Sequence, residues 1–184
     1  MIVTHHDGWR VPDGVFTALG VVAMATTWFL LIYFFQDLTA TVPVQFMLTD
    51  QLSGYLRTSW WLYFLPGWLQ LVLGALVWWL YRRPEYTNIP TSFLLPLVPD
   101  PLGRQIRQVI RHVLVMSWLL VNLLLAYGSL GMVTVGLGLA TRLQAWPVYG
   151  ILLLLLVVIG FYGWWLSRLG RQAADELRRH LTLS

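Results

Sequence analysis

Residues that could do chemistry are sparse in this chain, and their densest cluster stands near its start. His5, His6 and Asp7 carry the imidazole and carboxylate groups that bind transition metals. Adjacent histidines do not converge on one ion without help, and terminal segments are usually poorly ordered. We therefore expect no metal site there. The chain has no cysteine, so a thiolate site and a disulfide are excluded as well.

Two further histidines, His112 and His180, could act as general acids or bases. A catalytic histidine needs a group that orients its ring, and no carboxylate stands at helical spacing from His112. We interpret both as interfacial residues. The sequence also has no glycine-rich phosphate loop and no serine-nucleophile motif. It predicts no catalytic residue, no cofactor-binding residue and no cofactor, and we expect the protein not to be an enzyme.

Four apolar stretches make up most of the chain and would position the remaining polar groups. They cover residues 15–35, 62–81, 113–130 and 148–166. Each is close to the length of about 20 residues that crosses a hydrocarbon core of about 30 Å. Charged residues are 11% of the sequence, against about 25% in a soluble domain. The pattern predicts an all-α polytopic membrane protein, a single domain over 1–184 with four transmembrane helices.

The placement of arginine predicts how these spans are threaded. All 12 basic residues are arginine, and with four spans only Arg57 and Arg142 fall on the side opposite the termini. Such an asymmetry favours cytoplasmic termini, here in a bacterial inner membrane. Because the arginines follow topology and do not collect on one soluble domain, we expect no nucleic-acid partner. The arginines on the side of the termini are Arg10, Arg82, Arg83, Arg104, Arg107, Arg111, Arg168, Arg171, Arg178 and Arg179.

Tryptophans at the ends of the spans support the same topology. Trp60 and Trp79 flank the second span, and Trp146 and Trp165 flank the fourth. Each pair is 19 residues apart, about 28 Å along a helix. This is the separation of two aromatic belts at headgroup level. A haem or pigment scaffold is the alternative, but it would need a histidine inside a span, where the sequence has none.

Polar residues inside the spans are few, and two of them fall at similar depth. Gln70 lies near the middle of the second span and Asn122 near the middle of the third. Gly67 and Gly74 share the helix face of Gln70 and would let the backbones approach closely. We predict an interhelical polar pair between Gln70 and Asn122. A substrate or ion site is the weaker alternative, because no charged residue joins them.

Two amphipathic segments follow on the predicted cytoplasmic side. Asp100 and Pro101 form a helix-start signal, and the helix should run unbroken into the third span. Arg104, Arg107 and Arg111 share one face of this helix, where we expect contact with anionic lipid headgroups or a partner protein. The tail carries a stripe of leucine and alanine. We interpret it as a helical extension of the fourth span, lying on or near the inner membrane surface.

The first external loop, 36–58, has the most distinctive sequence outside the spans. Pro43 and its alternating neighbours predict a short extended piece, and Asp50 and Ser53-Gly54 predict turns. The loop contains Val42-Pro43-Val44-Gln45-Phe46 and, further on, Gly54-Tyr55. After the second span the chain reads Arg83-Pro84-Glu85-Tyr86-Thr87-Asn88-Ile89-Pro90.

These motifs resemble those of a bacterial four-span integral membrane family of unknown function, related to the N-terminal module of Sdp toxin-immunity proteins. Gln45 stands where that family usually has histidine, so we do not carry over a metal-binding or pH-sensing role for the imidazole. The resemblance implies binding of a secreted peptide or signalling through the membrane. We expect Gln45, Phe46, Asp50 and Tyr55 to form an external contact. The alternative is a small structural or accessory subunit that binds another membrane subunit.

Overall fold

Long helices dominate the structure, and a short β-hairpin interrupts them after the first. A computed structural model describes residues 13–37, 41–46, 52–57, 60–87 and 102–183. A 3-10 turn at Pro84–Tyr86 follows the second of the long helices. The other elements are α1 (Asp13–Tyr33), β1 (Thr41–Phe46), β2 (Leu52–Arg57), α2 (Trp60–Tyr63), α3 (Leu65–Arg82), α4 (Leu102–Gly136) and α5 (Trp146–Leu183).

Three helices among the described residues are long and apolar enough to cross a membrane: α1, α4 and the segment Trp146–Glu176 of α5. The predicted second span corresponds to α3, which has 18 residues and is about 27 Å long. Phe64 separates α3 from the short α2. Pro66 explains this break, because a proline is tolerated in the first turn of a helix but not within one.

The central helix of the bundle is α4, which packs against α1, α3 and α5. At one end of the bundle Asp13 of α1 contacts His112 of α4. At the other end Leu31 of α1 clusters with Met132 of α4. Both pairs advance in the same direction along the two chains, so α1 and α4 run parallel.

The helix α3 runs in the opposite direction. Its last turn carries Tyr81, whose hydroxyl donates to Asp13 at the start of α1. Its first turns carry Gly67, which packs against Trp28 further along α1. The helices α1, α3 and α4, which follow one another along the chain, therefore alternate in direction, as successive membrane spans must.

The α4–α5 pair extends beyond the level of Asp13. The two helices have 35 and 38 residues, about 52 and 57 Å. The predicted helical extension of the fourth span is confirmed, and the two extensions bury an apolar cluster in which the first part of the tail stripe packs against α4. Packing against α4 removes the stripe from water as fully as lipid would. The buried residues are Leu102, Ile106, Val109, Ile110, Leu166, Leu169 and Ala173.

The first external loop contains an antiparallel hairpin, and its strand β1 lies against α4. The strand confirms the extended piece predicted around Pro43. The turn predicted at Ser53-Gly54 is wrong, because both residues lie inside β2. Gln45 opposes Gly54 at a shift of register, where a glycine commonly accommodates a bulge. Asp50 lies outside the described residues.

Candidate functional site

A polar site joins three helices at the centre of the bundle. Gln70 of α3 is fully buried. Its Nε2 donates to Thr27 Oγ1 on α1 at 3.0 Å and to the main-chain carbonyl of Asn122 on α4 at 3.3 Å. Thr27 itself donates to the carbonyl of Ala23, one turn earlier. A single amide therefore ties α1, α3 and α4 together at one depth.

The structure places the predicted pair Gln70 and Asn122 side by side, but the bond between them runs through the main chain. Asn122 Nδ2 donates to the carbonyl of Trp118 within α4, at 2.8 Å. In the described part of the chain, Gln70 Oε1 and Asn122 Oδ1 have no hydrogen-bond donor. The bond from Gln70 thus does not depend on the side chain at position 122. Thr27 gave no signal in the sequence, because a threonine bonded to its own helix is common in any span.

Tryptophans pack against glycines on both sides of this polar site. A Cβ atom on Gly20 of α1 would come within 2.7 Å of Trp118 Cε3, and one on Gly67 of α3 within 2.9 Å of Trp28 Cε2. Gly74 of α3 flanks the same Trp118, whose Nε1 would lie 3.5 Å from its Cβ. The small-residue face predicted on the second span therefore does allow close approach.

A second polar site lies where α1 begins. Asp13 Oδ1 is 2.7 Å from His112 Nδ1, and Tyr81 donates from its hydroxyl to Asp13 Oδ2 at 3.2 Å. Because a carboxylate only accepts, His112 carries a proton on Nδ1 and donates it to Asp13. The rings of Phe16 and Tyr162 lie 5.5 and 5.7 Å from the imidazole. Residues from α1, α3, α4 and α5 thus meet around one carboxylate.

The expectation that His112 lacks an orienting carboxylate is wrong. Helical spacing reveals only partners on the same helix, whereas Asp13 approaches His112 from another helix and is 99 positions away in sequence. The parallel course of α1 and α4 is the signal that could have found it, since the first turn of one span and the start of another then share a level. This site can hold a charge pair between helices.

The three arginines predicted to contact lipid or a partner have different surroundings. Arg111 is turned towards α3, where its Nε donates to the carbonyl of Tyr81 at 3.0 Å and its guanidinium lies 5.2 Å from the Tyr81 ring. Arg104 is exposed and Arg107 is half-buried. Arg104 therefore keeps the largest exposed fraction of the three.

The predicted external contact falls largely on the hairpin. Gln45 and Phe46 lie on β1 and Tyr55 lies on β2, so two adjacent strands carry them. The segment His5-His6-Asp7 lies outside the described residues, as does the side chain of His180. Within the described ranges, no group of three histidine, cysteine, aspartate or glutamate side chains could hold a metal ion.

The tryptophans of the predicted belts point outward. Trp79 and Trp165 are 44% and 37% exposed, and Trp146 is 72% exposed. Together with the large apolar side chains on the outside of α1 and α5, they make the exterior of the bundle apolar. The buried polar contacts lie between the helices. This distribution is the reverse of that in a soluble protein and suits a lipid environment.

The fold and the two polar sites define a helical membrane protein in which polar groups serve helix association. Comparisons with known proteins do not narrow this class, since no family model, no curated protein and no solved structure matches the chain. The evidence for a function is therefore the geometry of the chain itself.

Proposed function

We propose that the protein is a non-enzymatic component of the bacterial inner membrane, immunity-like or signalling, which acts by contact through its first external loop. The observation that best supports this is the position of the hairpin, whose strand β1 lies against α4. The helix α4 continues without a break for 35 residues and contacts each of the other long helices. A ligand bound at the hairpin would therefore act next to α4, the helix that all the other long helices contact.

The ligand class that fits this proposal is a secreted peptide. The resemblance of the loop to the immunity-related family favours such a partner. Phe46 and Tyr55 would supply aromatic anchors, the residue type that most often carries binding energy at interfaces. Gln45 and Asp50 would supply polar contacts beside them.

The proposed topology has four spans and cytoplasmic termini. The alternating directions of α1, α3 and α4 support it, as do the arginine asymmetry and the outward tryptophans. The helix α3 is short for a span, but local thinning of the bilayer and the flanking Trp61 and Arg82 can accommodate a few ångströms of mismatch.

Labelling of single cysteines should test this topology, since the chain has no native cysteine. Thr141→Cys and Glu85→Cys both replace exposed residues. Thr141 lies in the segment 137–145 between α4 and α5, which is the second external loop of the proposed topology, and Glu85 follows α3. In intact cells a membrane-impermeant maleimide should label position 141 and leave position 85 unlabelled. Both should react after permeabilisation, which controls for access. Labelling of position 85 in intact cells would reject cytoplasmic placement of that segment.

The external contact is tested by replacing Gln45, Asp50 and Tyr55 together with alanine. At unchanged membrane levels, this triple variant should fail to rescue the phenotype of a strain that lacks the protein. A matched triple variant in the second external loop, at Leu139, Thr141 and Arg142, should rescue it. Full rescue by the first variant would show that the hairpin serves only as scaffold.

A second candidate function, that of an accessory subunit, is favoured by the outward face of α5. Only 11% of the spanning segment of α5 is buried, against 28% for α4. Another membrane subunit could cover this face. Extraction in a mild detergent would then yield the protein in fixed stoichiometry with that subunit, whereas the contact proposal expects it to be recovered without one.

A further inference from the structure

A groove of about 270 Å³ runs along the outer face of α5, where the helix leaves the level of Asp13 and enters its extension. All of its lining residues belong to α5, and one of them, Leu169, is buried against α4. Tyr162, one position after Phe161, contacts His112, which places the Phe161 end of the groove, its membrane end in the proposed topology, near the level of Asp13. The residues that line it are Phe161, Trp164, Trp165, Arg168, Leu169 and Gln172.

The lining changes from aromatic to polar along the groove. Phe161 and Trp165 meet edge to face at the membrane end, with ring centroids 6.0 Å apart. Further along, the Arg168 guanidinium lies 5.9 Å from the Trp164 ring, which holds the charge beside the groove. Gln172 follows one turn later and adds an amide donor. Half or more of Phe161 and Trp164 is exposed, so this surface is open to a ligand.

We propose that this groove binds one anionic phospholipid, with the phosphate on Arg168 and Gln172 and the glycerol and first acyl carbons against the aromatic rings. The match rests on charge and on the order of the groups. A guanidinium prefers a phosphate, and interfacial tryptophans sit at the level where a lipid changes from headgroup to chain. A transmembrane helix of a partner protein would not need this gradient. The site rests on the proposed cytoplasmic placement of the α5 extension but not on any role of the external loop.

Native mass spectrometry of the purified full-length protein should detect this lipid. The protein in mild detergent is titrated with phosphatidylglycerol or with phosphatidylcholine of the same chains. Arg168→Gln should weaken phosphatidylglycerol binding about tenfold, through the loss of a charge-assisted hydrogen bond, and weaken phosphatidylcholine binding less, because the choline cation offsets the charge of its phosphate. Arg171→Gln removes an equal charge three positions further on, outside the groove, and is the matched control. It should bind phosphatidylglycerol as the unmodified protein does.

Two further arms separate the lipid from other occupants. Trp164→Ala keeps every charge but removes a wall of the groove, and it should also weaken phosphatidylglycerol binding. Glycerol phosphate at the same concentration should not displace the lipid, because it lacks the chains. Equal losses in the two arginine variants, equal affinity for both lipids, or displacement by glycerol phosphate would each overturn the proposal. So would a protein subunit that co-purifies in fixed stoichiometry and is lost with Trp164→Ala.

Discussion

Replacement of Gly20 by leucine should lower the free energy of unfolding by about 2–3 kcal/mol, the upper range for overpacking a helix interface. A Cβ atom at this position would lie within 2.7 Å of Trp118 Cε3 and still closer to Cζ3. Trp118 has little room to withdraw, since it is 8% exposed and Gly74 of α3 flanks its other side. The leucine must therefore push α1 away from α4. Unfolding in detergent, followed by tryptophan fluorescence during a denaturant titration, measures the change.

The steric origin of this loss can be isolated with two further variants. Gly163→Leu introduces the same side chain into the interior of α5, where a Cβ atom meets nothing within 4 Å, and stability should change little. Trp118→Phe removes the ring atoms that clash, so it should recover part of the loss when combined with Gly20→Leu. A similar cost at positions 20 and 163 would show that the bulk of a leucine on any helix of the protein, and not the contact with Trp118, sets the result.

Hydropathy predicted the positions of the helices, and the helix-start signal before Leu102 and the stripe of the tail predicted that α4 and α5 extend beyond their spans. The stretches 15–35 and 62–81 match α1 and α3 within a few residues, because apolar composition ends where those helices end. The helices α4 and α5 continue past the apolar windows because their extensions pack against each other, and this pairing is a tertiary contact. The end of α4 depends on a local signal instead. Gly138 has a φ of +71°, a conformation that favours glycine and stops the helix after Gly136.

The depth of the central polar site could also be predicted, but its bonding could not. The positions of Gln70 and Asn122 within two neighbouring antiparallel spans are enough to place them side by side. Which atom accepts from the Gln70 amide depends on helix rotation, and the structure selects the main chain of α4 and the hydroxyl of Thr27. The sequence does not single out Asp13 as a partner of His112, because an aspartate in the first turn of a helix is common as a partner of the helix dipole. Its contact with His112 required knowledge of which helices are neighbours.

Asp13→Ala should lower the free energy of unfolding by about 2 kcal/mol, since it removes the bond from His112 and the bond from Tyr81. Hydrogen bonds to charged groups contribute about 1.5–3 kcal/mol. We place the effect at the lower end because the side chains of His112 and Asp13 are 19% and 28% exposed and water screens part of the charge. Asp37→Ala, at an exposed position beyond the other end of α1, is the matched control and should change stability little.

A double-mutant cycle measures how much of this free energy comes from the interaction between Asp13 and His112. Asp13 also lies in the first turn of α1, where a negative charge favours the helix dipole, and this term is the same whether or not the histidine is present. Asp13→Ala and His112→Ala together should therefore cost less than the sum of the single changes, by about 1 kcal/mol. Strict additivity would show that the two side chains do not interact in the membrane-embedded protein. A clear coupling would establish that one carboxylate joins the start of α1 to α4, the helix against which the external hairpin lies.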